Sequence, residues 1–440
     1  MDTIFALSSA PGRAGLAVVR ISGPQAFAAA RRLAGKDVVP RQAALRHLRD
    51  PRTGVALDRA IVIGFPAPQS FTGEDVVELH LHGGRAVLRA VLETLAAEGL
   101  RPAEAGEFTR RAFENGKLDL TAAEGLADLV AADTEAQRVQ ALRQLGGNLA
   151  SLYEGWRQFL IRALAHVEAH IDFPEEDLPA GLVSDTRSIL LKIKEDISNH
   201  LNDARRGERL RDGVSVAILG APNVGKSSLI NVLAGREAAI VSAQAGTTRD
   251  VIEVHLDLAG YPVVVADTAG LRNSVDDEIE SEGVRRALTR AADADIRIVM
   301  FDATALPEID AGSAGLIDRS TLVVVNKIDL ARPDDTSIGG RSAFPISADS
   351  GEGVDQLLRA LTNAVIERAG LRESPALTRE RHRHALEDCR NALDRAVTAE
   401  AVELLAEDMR MAVRAIGRIT GRVDVEDLLD IVFREFCIGK

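Results

Sequence analysis

Eight residues at 220–227, GAPNVGKS, carry the most specific chemistry in the chain. Gly220 and Gly225 let backbone N–H groups curl round a phosphate, Lys226 can reach the outer phosphates of a nucleotide, and Ser227 offers Mg²⁺ a hydroxyl at a helix N-terminus. Asn223, Val224 and Ser228 complete the segment. Asp267-Thr268-Ala269-Gly270 follows the apolar run YPVVVA, where an aspartate can hold Mg²⁺ through water and a glycine amide can meet the terminal phosphate. Asn326-Lys327-Ile328-Asp329 follows TLVVV, and Ser347-Ala348-Asp349 follows AFPI. An aspartate placed like Asp329 accepts from N1 and the exocyclic amine of guanine, which adenine cannot match; a buried acceptor left unpaired is what rejects ATP. Four such elements in this order imply a site for GTP and GDP.

The loop AGTTRD at 245–250 lies where a switch region belongs, so Thr247 or Thr248 is expected to close over the γ-phosphate, with Thr248 as the Mg²⁺ ligand. Leu271 stands where Ras-like enzymes carry a water-orienting glutamine, and leucine cannot hydrogen-bond. Hydrolysis therefore needs another device. The acidic run Asp276, Asp277, Glu278, Glu280, Glu282 just downstream could supply a carboxylate, although a helix start favoured by the macrodipole explains most of it.

These residues need elements to hold them. VSVAILG, YPVVVADTAG, IRIVMFDA and STLVVVNKIDL read as buried strands alternating with helices, which predicts a parallel sheet covered on both faces over residues 213–365. Residues 1–118 show short strand-like runs (GLAVVRIS, RAIVIGF, DVVELHLHGG) and the helical RAVLRAVLETLAAEG, an α+β pattern. Residues 119–212 and 366–440 are rich in amphipathic helical runs, broken chiefly at IDFPEEDLP. The chain thus reads as a multidomain α+β and α/β protein with an α/β domain inserted into a discontinuous helical one.

Composition bounds the function. The 440 residues carry a net charge of −13, which argues against nonspecific coating of nucleic acid. Two arginine-rich stretches, Arg205, Arg206, Arg209 and Arg211, and Arg379, Arg381 and Arg383 with His382 and His384, are candidate basic patches, though solvated helix faces are the commoner meaning. Nothing resembles a membrane span or a signal peptide, and two cysteines, Cys389 and Cys437, suit a reducing compartment, so a cytoplasmic location is expected.

Over its whole length the sequence resembles the tRNA modification GTPase MnmE (TrmE) family, through PGRAGLAVVRISG, SFTGEDVVELHLHGG, GEFTRRAFENGKLDL, GAPNVGKSSLINVLAGREAAIVSAQAGTTRD and the closing FCIGK. The resemblance implies an N-terminal folate-binding and dimerisation domain, the discontinuous helical domain, and an inserted Ras-like G domain. It implies a homodimer that works with the FAD-dependent MnmG (GidA), in a heterotetramer-type complex, to add an aminomethyl-type group at carbon 5 of the wobble uridine of certain tRNAs. The one-carbon unit would come from a 5-formyl- or methylene-type tetrahydrofolate, contacted by Arg20, Glu78, Lys117 and Lys440. K⁺ would be ligated by Asn223 together with Ser242, Gln244 and Thr247, in the role of an arginine finger. Glu280 of the DEIE segment would orient water, with Glu278 the alternative. Cys437 would be a functional thiol; prenylation or an inert terminal cysteine are its other readings. A regulatory or ribosome-assembly GTPase switch is the competing function, and the folate-type segments and CIGK are what such a switch has no need to carry.

Overall fold

The computed structural model describes residues 2–172, 182–236, 238–240, 253–267, 294–333, 337–371, 374–423, 429, 432, 433, 436 and 439. The chain forms two compact units, one of Met1–Ala127, Gln144–Ala165 and Met409–Lys440, the other of Asp128–Arg143 and His166–Asp408.

In the first unit, strands β1 (Ile4–Leu7), β2 (Ala14–Ser22), β3 (Ala44–Arg49), β4 (Ala56–Phe65), β5 (Val76–Gly83) and β6 (Arg101–Pro102) form one sheet in the order β3-β4-β5-β2-β1-β6. All neighbours are antiparallel except β1 and β6. Alternation decides the faces. In β5, Val77, Leu79 and Leu81 enter the core, which leaves Glu78, His80 and His82 on the opposite side. Helices Ala26–Ala34 and Arg85–Ala97 cover the core face with Ala26, Ala29, Ala30 and Leu33 and with Val91 and Leu95, the spacing of one helical stripe. Truncating a leucine such as Leu79 there would cost about 2–5 kcal/mol. Near the C-terminus Leu429, Val432, Phe433 and Phe436 bury themselves against Leu120 and Ala123, with Phe113 packed alongside.

The second unit holds a mixed sheet of β7 (Val214–Gly220), β8 (Glu253–Leu258), β9 (Tyr261–Asp267), β10 (Ile296–Asp302), β11 (Thr321–Asn326) and, beyond the small hairpin β12 (Ser337–Ile338) and β13 (Arg341–Ser342), β14 (Phe344–Pro345). The order is β14-β11-β10-β7-β9-β8, parallel throughout except for the β8–β9 hairpin. Both faces are buried: Val214, Val216 and Ile218 of β7 join the core under helices Lys226–Ala234 and Val354–Ala369, while Ala217 and Leu219 join a second core on the other side. This is why the strands read as continuous apolar runs in the sequence.

The arginine-rich stretches are largely internal anchors in this unit, neither a free patch nor simple solvated faces. Arg383 is buried and donates to Asp203 (2.9 Å), Glu208 (3.1 Å) and the Leu201 carbonyl oxygen (2.8 Å). Arg379 pairs with Asp128 and Arg209 with Asp295, each at 2.6 Å. Among the described residues no helix is long and apolar enough to cross a membrane.

Candidate functional site

The carboxyl ends of the parallel strands β7, β9, β11 and β14 carry the four sequence elements, the place where open α/β sheets bind ligands. β7 runs into the loop 220–225, and the helix that follows begins at Lys226, so the first N–H groups and the positive end of the helix dipole face the loop. Lys226 Nζ donates to the carbonyl oxygens of Gly220 (2.8 Å) and Ala221 (2.9 Å), which keeps the ammonium within the loop it serves. Asn223 takes the left-handed conformation at φ 62°, a geometry asparagine tolerates better than most residues, and it is exposed, as are Ser227 and Ser228. Val224 is buried beneath them.

Asn326 ties this loop to the far side of the site. Its buried side-chain amide donates to the Val224 carbonyl oxygen (2.8 Å) and accepts from the Ala348 N–H (2.9 Å), so one residue joins the phosphate loop, the end of β11 and the Ser347-Ala348 turn. The contact is close enough to dictate Gly225: a Cβ there would lie 2.2 Å from Asn326 Nδ2, on a backbone already at φ 102°. The sequence motif assigns base reading to Asp329 and gives no hint that its first residue is the bridge.

Lys327 is left-handed at φ 66°, a strain on the order of 1–3 kcal/mol for a residue with a side chain. Its ammonium meets Asp302 Oδ2 at 2.5 Å. The other oxygen of Asp302 accepts from the Thr304 N–H (2.9 Å) and hydroxyl (2.7 Å). Burial would raise the Asp302 carboxyl, but the bonds from Lys327 and Thr304 outweigh it and hold it below its ordinary value. Sequence reasoning missed this residue; its only signal was an aspartate at the end of the apolar strand IRIVMFD. Asp329 and Asp349 are exposed, whereas Ser347 is buried, with its hydroxyl accepting from the Ser350 N–H.

Asp329 offers the first test. Asp329→Asn turns half of the acceptor into a donor, so GTP binding is expected to weaken at least about tenfold while xanthine nucleotides gain. Equal GTP affinity in variant and parent, measured by calorimetry, would remove the guanine assignment.

Asp267 ends β9, its backbone beside Ile218 of β7, but its carboxylate lies outside the described part of the chain. The same holds for Ser242, Gln244, Thr247, Thr248, Thr268, Ala269, Gly270, Leu271, Glu278, Glu280, Cys437 and Lys440.

A second cluster stands in the first unit, on the face of the sheet away from its core. Arg20 and Glu78 are cross-strand partners in β2 and β5, and Arg20 donates to Glu78 Oε1 through Nη2 (3.0 Å) and Nε (3.2 Å). The rings of Phe71 and Phe108 lie over the guanidinium at 5.1 and 5.7 Å. His80 Nε2 is 3.4 Å from Glu78 Oε2, without the alignment of a hydrogen bond. The loop bearing Phe71 is fixed by buried Arg111, which holds Glu74 (3.0 Å), Glu107 (2.9 Å) and Asp2 (2.7 Å). Exposed Lys117 donates to the Pro68 carbonyl oxygen of that loop (2.8 Å), so it joins the loop and not the Arg20–Glu78 pair itself.

The C-terminus reaches the same sheet. The Gly439 carbonyl oxygen accepts from the Ser8 hydroxyl at 2.9 Å. A Cβ on Gly439, at φ 101°, would lie 2.0 Å from the Leu7 carbonyl oxygen, so only glycine fits.

Comparison with known proteins gives two family matches, the GTP-binding protein TrmE N-terminus over residues 3–117 and the MnmE helical domain over residues 120–437. The tRNA modification GTPase MnmE of Paramagnetospirillum magneticum is 58% identical, with 100% of both chains covered. The mitochondrial 5-taurinomethyluridine tRNA synthase subunit GTPB3 of Danio rerio is 48% identical over 100% of this chain and 93% of its own. Among solved structures, Era of Aquifex aeolicus is 27% identical over 40% of this chain and 66% of its own, at a TM-score of 0.28, too low to carry an argument.

Proposed function

The chain belongs to the MnmE family of tRNA modification GTPases, and from that premise we propose that it couples GTP hydrolysis to addition of an aminomethyl-type group at carbon 5 of the wobble uridine of certain tRNAs. The observation that carries the proposal is the extent of the kinship: the N-terminal and helical segments match together with the nucleotide site, over the full length of the relatives. A bare regulatory switch has no use for the first two. The test is the modified-nucleoside profile of tRNA from cells lacking the protein. Loss of the wobble modification, restored by the wild-type gene, is expected; an unchanged profile would leave only the switch.

The domains we assign are 1–118 for folate binding and dimerisation, 119–212 and 366–440 for the helical domain, and 213–365 for the G domain. In the first, Arg20, Glu78, Lys117 and Lys440 would hold a 5-formyl- or methylene-type tetrahydrofolate. A fixed cation under two phenyl rings suits a flat ligand with anionic groups, which supports the reading. Bound there, the folate would supply the one-carbon unit. The working assembly is a cytoplasmic homodimer with MnmG.

In the G domain the chain's own residues place GTP in line and steady its charge. Lys226 and the N–H groups of 220–227 cradle the phosphates, Ser227 and Thr248 would hold Mg²⁺, and Asp329 reads the base. Glu280, or Glu278, would orient the water that Leu271 cannot. Asn223, with Ser242, Gln244 and Thr247, would hold K⁺, which neutralises charge between the β- and γ-phosphates. Asn223 is exposed on the loop, as such a ligand must be. An oxygen cage discriminates by ion size and dehydration cost. At constant ionic strength kcat in K⁺ should therefore exceed that in Na⁺ at least about tenfold, equivalent to about 1.4 kcal/mol of barrier. Asn223→Ala should erase the difference and leave GTP affinity within a few-fold. Equal rates in both salts, or a K⁺ effect that survives the substitution, would refute the cation mechanism.

A further inference from the structure

Asp302 lies outside all four nucleotide elements, yet it is tied to one of them. It ends β10 as the register partner of Asn326 at the end of β11, one strand away from the residue that bridges the phosphate loop and the Ser347-Ala348 turn. From there its carboxylate makes two opposed sets of bonds. Oδ1 is fixed by the N–H and hydroxyl of Thr304, and Oδ2 takes the Lys327 ammonium at 2.5 Å.

We propose that Asp302 is a positioning residue for guanine recognition: by holding the Lys327 side chain it fixes the left-handed turn from which Asp329 is aimed at the base. The backbone supports this. Lys327 is the hinge between β11 and the turn that follows, and its carbonyl oxygen accepts from the N–H groups of Leu330 (3.0 Å) and Ala331 (3.2 Å), enclosing Asp329. Asp329 itself is exposed, so its direction depends on that turn. A lysine has no intrinsic preference for φ 66°. Something must hold it there. A long cationic side chain left loose would also be drawn to any phosphate bound in the loop that Lys226 serves, which Asn326 joins to β11. The pair with Asp302 removes both freedoms.

The experiment compares GTP with ITP, which lacks the exocyclic amine that Asp329 is assigned to read. A residue that merely supports the fold changes affinity for both nucleotides alike, whereas a lost aim narrows the ratio between them. Equilibrium affinities for both should be measured on the full-length wild type, Asp302→Asn, Lys327→Met and the double variant. In Asp302→Asn we expect GTP to bind five- to twentyfold more weakly, the GTP-to-ITP preference to fall at least threefold, and kcat at saturating GTP to stay within twofold. Lys327→Met, which retains an unbranched stem without the charge, should weaken GTP binding and narrow the GTP-to-ITP preference to the same extent, and the double variant should be no worse than either single one. Should Asp302→Asn not fold, Lys327→Met alone decides. An unchanged preference in a folded single variant, or additive losses in the double, would overturn the proposal. A wild type that binds GTP and ITP equally would overturn it too, together with the guanine assignment of Asp329, and is distinguished from the other failures by that fact.

Discussion

Asn326→Asp is expected to weaken GTP binding about a thousandfold while changing a single atom type. The side chain is buried, with Nδ2 donating to the Val224 carbonyl oxygen and Oδ1 accepting from Ala348. Aspartate keeps the second bond and reverses the first, setting an oxygen against the carbonyl oxygen that formerly received a proton. If the carboxylate stays ionised it is a buried charge with no counter-ion, a situation that costs about 3–5 kcal/mol. The loop can escape by moving Val224 away, but Val224 precedes Gly225 and Lys226, so the phosphate cradle moves with it. Affinity then falls by the fraction of molecules whose loop is still in place, and about 4 kcal/mol against that state is about three decades. Asn326→Ala removes both hydrogen bonds without adding charge, leaving two buried groups unpaired at about 1–3 kcal/mol each, so it should weaken binding by a comparable amount. Calorimetric titration with GDP and GTP, with circular dichroism as a check that the domain persists, measures this. An aspartate variant that binds GTP within a few-fold of the parent would mean the bridge does not hold the loop.

That bridge also shows what sequence could and could not disclose. The order of strands and helices around the nucleotide site was legible because strands buried on both faces must be mostly apolar, and VSVAILG, IRIVMFD and TLVVVN are. The α+β pattern of the first unit was legible for the complementary reason, alternation in DVVELHLHGG. Function-bearing loops were legible where several residues recur at fixed spacing, as in 220–227 and 326–329. Hidden from the sequence were contacts whose halves lie far apart in the chain. Asp302 and Lys327 are 25 positions apart, Val224 and Asn326 are 102, and Ser8 and Gly439 are 431. The arginine stretches misled in the same way. Charge runs are visible locally, but the carboxylates that absorb Arg383 come from 175 and 180 positions away, and the one that absorbs Arg379 from 251.

Cys437→Ser is expected to abolish tRNA modification and leave GTP hydrolysis unchanged. Cys437 itself lies outside the described part of the chain. Gly439, two positions on, is seated where its carbonyl oxygen accepts from Ser8 and where no side chain would fit against Leu7. Leu7 ends β1, and the preceding Ala6 is the cross-strand partner of Arg20. That anchor lies on the sheet that carries the Arg20–Glu78 pair, which is the proposed folate site, and Cys437 is two positions from it in sequence. Cys389, the other cysteine, is buried, and burial pushes its thiol up to about 12, the behaviour of an inert core residue. Serine preserves shape but is a far weaker nucleophile near neutral pH, so a reaction that uses the thiolate should slow by about 10³-fold or more. A reconstituted reaction with MnmG, a one-carbon folate and tRNA should give no detectable modified uridine with the variant, while its kcat for GTP stays within twofold of the parent. Gly439→Ala separates position from chemistry: it leaves the thiol intact, unseats the tail, and should lower modification without touching hydrolysis. Full modification by the serine variant would return Cys437 to a terminal residue with no part in the chemistry, whatever the outcome for Gly439.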